Sequence, residues 1–199
     1  MMFHKEKYLQ KLKKYAQENN IPIIKNKSLD FLLQIINQFK IQNILEIGTA
    51  IGYSTLSMSF ENTQIDTLER DYLNYHLAKN FLQKTPFKIN VIWTEALIYP
   101  INKLKKYDLI FIDAAKAQYK KIFVKFCSLL NPQGIIICDN LHLSCFRNEK
   151  NTAKQKGIFK KMQDFEIFLQ NHPDFQTVFK NIDDGLSISY KITDKIKIN

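Results

Sequence analysis

Only three cysteines occur in the 199 residues, Cys127, Cys138 and Cys145, with no CxxC spacing among them. An odd, scattered set excludes a disulfide framework, argues against zinc, and fits a reducing cytoplasm. Glycine and proline are scarce, five of each, which rules out a Gly/Pro-rich low-complexity chain. No apolar run reaches the roughly 18 residues that a membrane span requires. The opening stretch MMFHKEKYLQKLKKYAQ lacks the apolar centre and small-residue cleavage site of a secretion signal, so the expectation is a cytoplasmic protein with no membrane partner. Arginine is almost missing: the 29 basic residues are Arg70, Arg147 and 27 lysines.

What is present is ordinary in bulk and unbalanced in charge. Apolar residues make up 45% and charged residues 24%, as in globular proteins generally. The formal net charge is +10, which invites a polyanionic partner such as RNA. The same lysine-rich, asparagine-rich profile also arises from an A/T-rich genome, so composition leaves both causes open. The length suits a single domain spanning 1–199, with helices over 1–40 and a core over 41–199.

The order of elements predicts the fold. KYLQKLKKYAQ places Tyr8, Leu9, Leu12 and Tyr15 on one helical face, a candidate contact for a homodimer. Ser28 is a candidate N-cap for a second helix, LDFLLQIINQF. Five short apolar runs follow: NILEIG, IDTLE, INVIW, DLIFID and GIIICD. Helical segments lie between them, among them YLNYHLAKNFL with Leu73, Leu77 and Phe81 at four-residue spacing. Strands alternating with helices indicate a parallel sheet covered on both faces. Ile158, Met162, Phe165 and Leu169 mark a late helix, and FQTVFKN and LSISYKI around IDDG mark a closing hairpin. The expectation is a doubly wound, Rossmann-like, mostly parallel seven-stranded α/β sheet with an antiparallel C-terminal hairpin and extra N-terminal helices. In such sheets ligands sit beyond the carboxyl ends of the strands.

Two constellations fall at such ends. LEIGTAIGYST joins the first strand to its helix and holds Gly48 and Gly52. Gly48 permits a close approach of backbone and ligand, Glu46 can accept hydrogen bonds, and Ser54 opens a helix whose amides favour an anion. Glu69 ends the second strand, 21 residues past Gly48, where an acid reaches ribose hydroxyls. Position 50 is Ala rather than the third glycine of a pyrophosphate loop, which favours a nucleoside cofactor without phosphate, S-adenosylmethionine. The second constellation is Asp113 and Lys116 in DAAKAQY, with Asp139 and Asn140 in CDN. Three oxygen ligands from two strand ends suit a hard divalent ion with open positions, magnesium above calcium or zinc. Such an ion would acidify a bound hydroxyl, with Lys116 as base or oxyanion partner. The plainer reading makes the two aspartates helix caps and Lys116 a solvated lysine.

These motifs, in this order and spacing, resemble the magnesium-dependent, catechol-type O-methyltransferases of the class I S-adenosylmethionine enzymes, over about residues 20 to 192. The resemblance implies Glu46, Gly48, Ser54 and Glu69 for the cofactor, Ala96 near the adenine and Ile24 near its amino-acid end. It implies Asp113, Asp139 and Asn140 as metal ligands, Asp113 also close to the cofactor, and Lys116 as catalytic base. DAAKAQY and the short chain look most like the bacterial tRNA 5-hydroxyuridine methyltransferases. Their implied substrate, the wobble 5-hydroxyuridine of the anticodon loop, carries vicinal oxygens that can chelate magnesium as a catechol does. Residues 144–161 carry six basic residues and one acid, offering Arg147 and Lys150 to phosphates and Phe146 to a base, with Lys25 and Lys27 as further RNA contacts. A methyltransferase of a small catechol-like metabolite, and a non-catalytic RNA-binding protein on the same scaffold, are the alternatives.

Overall fold

A computed structural model describes residues 3–141 and 152–192. Its elements run α1 (Lys5–Glu18), α2 (Asn26–Gln38), β1 (Asn43–Ile47), α3 (Tyr53–Met58), β2 (Gln64–Glu69), α4 (Tyr72–Leu82), β3 (Lys88–Trp93), β4 (Tyr107–Ile112), α5 (Tyr119–Phe126), β5 (Leu130–Cys138), α6 (Ala153–Gln170), β6 (Phe175–Lys180) and β7 (Leu186–Lys191). The seven strands form one sheet in the order β3-β2-β1-β4-β5-β7-β6. Strand β7 is antiparallel to both neighbours, β5 and β6. The Rossmann-like fold expected from the sequence is the fold observed. Two compact units divide the chain, Met1–Pro100 and Ile101–Asn199.

In the first unit β1, β2 and β3 pair in parallel, and the apolar residues of β1 are buried. Helix α1 buries Leu12 and Ala16 within this unit, and the Tyr8 hydroxyl donates to the carbonyl of Phe81 at 2.9 Å. Of the apolar face considered for a dimer, Leu12 is buried, while Tyr8, Leu9 and Tyr15 are half-buried. Lys5, at the start of α1, donates to the carbonyls of Ser57 (2.8 Å) and Ser59 (2.6 Å). A cation thus meets the electronegative end of α3, its natural place against a helix dipole. Burial lowers the Lys5 pKa to about 8.

Two local expectations need correction. Helix α2 starts at Asn26, with Lys25 as N-cap, so Ser28 is a buried helical residue and not the cap. In α4 the buried residues are Ala78 and Leu82, while Leu73 is 71% exposed. The helix starts on the Asp71 cap, whose carboxylate accepts from the backbone N–H of Asn74 at 2.8 Å. That start turns Leu73 to solvent, and Phe81 meets the Tyr15 ring instead.

In the second unit β4 and β5 pair in parallel, with a register shift between Tyr107 and Leu109. The turn-forming residues NPQG lie inside β5. Gln133 takes a left-handed φ of 61° there, so the turn residues form an irregularity within the strand and the pairing resumes at Ile135. Phe123, Phe165, Phe168 and Phe175 form an aromatic cluster under α5 and α6.

Candidate active site

The loop after β1 is built around buried hydroxyls and one buried acid. Glu46 is fully buried. It accepts hydrogen bonds from Ser54 Oγ (2.6 Å), Thr67 Oγ1 (2.6 Å) and Thr55 Oγ1. A buried carboxylate requires such partners, and here they tie β1 to β2 and to the first turn of α3. Gly48 adopts φ 107° and Gly52 φ 87°, angles that favour glycine. A Cβ on Gly52 would lie 2.8 Å from Leu82 Cδ1, so this glycine also lets α4 pack against the loop.

Glu69 closes the loop from the neighbouring strand. Its Oε2 accepts the backbone N–H of Ala50 at 2.8 Å, and its Oε1 that of Asp71 at 2.7 Å. Ala50 sits at φ 47°, in the left-handed region, with its amide turned toward this carboxylate. Burial raises the Glu69 pKa, while the amides of Asp71 and Ala50 oppose the rise. Ala96 and Ile24 are buried, at 7% and 5% exposure. Beside the ends of β2 and β3 opens a groove of about 550 Å³ lined by Arg70, Asp71, Trp93, Thr94, Glu95 and Ile98. Trp93 Nε1 donates to the Arg70 carbonyl at 3.2 Å, and Arg70 faces Glu95 at 3.8 Å. Sequence reading missed this groove, although its residues lie within a few positions of two strand ends.

The second constellation lies where β4 and β5 end. Asp113 follows β4, and Asp139 and Asn140 follow β5. The Asn140 backbone N–H donates to Asp139 Oδ1 at 2.7 Å, and its side-chain Nδ2 donates to Asp113 Oδ1 at 3.3 Å. Asn140 reaches both because its backbone is left-handed, φ 59°, a conformation asparagine tolerates better than most residues. The Asp139 backbone is fixed as well: its N–H donates to the Ile112 carbonyl at 3.1 Å.

Electrostatics favours a cation here. Asp139 is 2% exposed, and its pKa is pushed up to about 7, by burial first and then by Asp113, Asp184 and Asp183. The Asp113 pKa is raised by burial, against the Asn140 hydrogen bond and the charge of Lys116. Lys116 opens the 3₁₀ turn before α5, near enough for its charge to act on that carboxylate. Among the described residues no cluster of three or more His, Cys, Asp or Glu side chains forms a metal cage. The set is two carboxylates and one amide, all oxygen donors, which fits a hard ion that keeps water or substrate in its other positions. Asp183 and Asp184 belong to the hairpin turn, and turn chemistry alone accounted for them in the sequence.

Lys25 and Lys27 are exposed at the start of α2. Phe146, Arg147 and Lys150 lie outside the described residues.

The O-methyltransferase family profile matches residues 2–192. The chain belongs to the O-methyltransferase family, within the class I S-adenosylmethionine-dependent enzymes. A Staphylococcus aureus protein of known structure, provisionally called a caffeoyl-CoA O-methyltransferase, is 36% identical, with 92% of each chain covered and a TM-score of 0.85. Tapetum-specific methyltransferase 1 of Arabidopsis thaliana is 27% identical over 188 residues, 88% of this chain and 79% of that one. Caffeoyl-CoA O-methyltransferase of Populus kitakamiensis is 32% identical over 142 residues, 64% of this chain and 58% of that enzyme. No helix among the described residues of this family member is long and apolar enough to cross a membrane.

Proposed function

We propose that this O-methyltransferase methylates a vicinal-oxygen substrate with magnesium, and that the substrate is 5-hydroxyuridine at the wobble position of tRNA. The observation that carries the metal reading is the bridging of Asp113 and Asp139 by Asn140. In this reading Asp113, Asp139 and Asn140 hold the ion, and Gly48, Ser54 and Glu69 hold the cofactor, with Ile24 and Ala96 flanking it and Glu46 bracing the loop. Magnesium would supply Lewis acidity, making a substrate hydroxyl easier to deprotonate. Lys116 receives that proton or stabilises the oxyanion. S-adenosylmethionine, when bound beside Gly48, Ser54 and Glu69, would supply the electrophilic methyl group.

The tRNA assignment is supported by the DAAKAQY motif, by the net charge of +10, and by the vicinal hydroxyl and carbonyl oxygens of the base. An anticodon base can leave its stack for a pocket at modest cost. Mass spectrometry of nucleosides from tRNA of cells lacking the protein tests it. Loss of 5-methoxyuridine with accumulation of 5-hydroxyuridine is expected, and a normal profile overturns the assignment. Similarity to a caffeoyl-CoA enzyme over 142 residues favours, as second reading, a small catechol-like substrate. That reading predicts a KM indifferent to salt, whereas RNA affinity falls steeply as salt rises. A homodimer and a cytoplasmic location complete the proposal.

A further inference from the structure

Tyr119 is the first residue of α5 and is 0% exposed. Its hydroxyl donates to the backbone carbonyl of Asp139 at 2.9 Å. The helix that Tyr119 opens follows β4 and Asp113 in the chain. The phenol therefore joins the segment leading out of the acid that ends β4 to the backbone of the acid that ends β5. The ring is held from behind, edge-on to Phe165 at 5.9 Å between centroids.

We propose that Tyr119 is a positioning residue that sets the separation of Asp113 and Asp139 for a divalent cation. The inference rests on the metal reading above and adds a residue that touches neither ion nor substrate. Each acid has its own local tether: Asp139 to Ile112 through its amide, and Asp113 to Asn140 through its side chain. The Tyr119 hydroxyl is the tether from the segment after Asp113 to the Asp139 backbone. A neutral phenol has one hydrogen to give, and here it goes to Asp139. Phenylalanine would keep the ring and the packing while leaving the buried Asp139 carbonyl without this partner. The two strand ends would then lose their common reference. Groups that orient metal ligands from behind typically change metal affinity by about ten- to a hundredfold when removed.

The test is manganese(II) titration of the full-length protein, followed by the electron paramagnetic resonance of the free ion, beside S-adenosylmethionine binding by calorimetry. Tyr119→Phe is expected to weaken manganese binding about tenfold or more, to leave S-adenosylmethionine affinity within about twofold, and to recover most of its kcat at saturating metal. Phe165→Leu, which loosens the same ring but keeps the hydroxyl, is expected to lower Tm with unchanged manganese affinity. Tyr119→Phe with parental metal affinity overturns the proposal, as does an equal loss of affinity in Phe165→Leu. A parent protein that binds no divalent ion overturns the metal reading and this inference together.

Discussion

The side-chain amide of Asn140 lies 3.3 Å from Oδ1 of Asp113, so the residue that follows one buried acid reaches the acid of the neighbouring strand. Removing Asp139 strips this arrangement of its most buried charge and leaves the Gly48 loop untouched. Asp139→Ala is expected to lose about a hundredfold or more in kcat/KM, while S-adenosylmethionine affinity stays within about threefold. Full turnover of this variant in a chelator would remove metal from the mechanism.

In the proposed metal reading, proton and metal would compete at the same carboxylate. Asp139 has a folded pKa of about 7, above the usual carboxylate value near 4 in the unfolded chain. Between those values the folded state holds a proton the unfolded state has released, so metal-free stability falls as pH rises from about 4 to 7 and levels off above. In that reading magnesium would displace the proton, and its affinity is expected to drop about tenfold per pH unit below 7. Thermal unfolding from pH 5 to 8 with and without magnesium checks both signs. A metal-free protein that gains stability from pH 5 to 7 contradicts the assignment.

Glu69 satisfies two backbone amides, those of Ala50 and Asp71. Glutamine retains one carbonyl oxygen and brings two N–H donors, so one amide loses its acceptor, an omission that costs about 1–3 kcal/mol when buried. Glu69→Gln is expected to lower Tm and to weaken S-adenosylmethionine at least about tenfold, since the proposed ribose contact is charge-assisted. Calorimetry separates the two effects. Lost stability with unchanged cofactor affinity would confine Glu69 to holding the loop.

Gly52 tests the loop from the packing side. Alanine there meets Leu82 Cδ1 at 2.8 Å and must hold φ 87°. Gly52→Ala is expected to destabilise by about 1–3 kcal/mol. Adding Leu82→Ala removes the clash but not the backbone strain. Denaturation of the double variant should therefore show less than the sum of the two single losses.

Much of this was legible in the sequence because strand ends announce themselves. The apolar runs NILEIG, DLIFID and GIIICD stop at Gly48, Asp113 and Asp139, and the structure ends β1, β4 and β5 within a residue of each. Periodicity located α6 through Met162, Phe165 and Leu169. It misplaced the buried side of α4, because four-residue spacing is met equally by Leu73, Leu77 and Phe81 and by Ala78 and Leu82. Long-range partners were out of reach. No local pattern says that Thr67 serves Glu46 or that Tyr119 reaches Asp139, since both bonds depend on tertiary placement.

The grip of Lys5 on the last carbonyls of α3 ties the beginning of the chain to the far end of the helix that issues from the Gly48 loop. A protein clipped by a protease just past that lysine would keep every proposed ligand yet lose the peg that seats this helix. The Gly48 loop would then be loosened from behind, so cleavage just past Lys5 is not a neutral event for this fold.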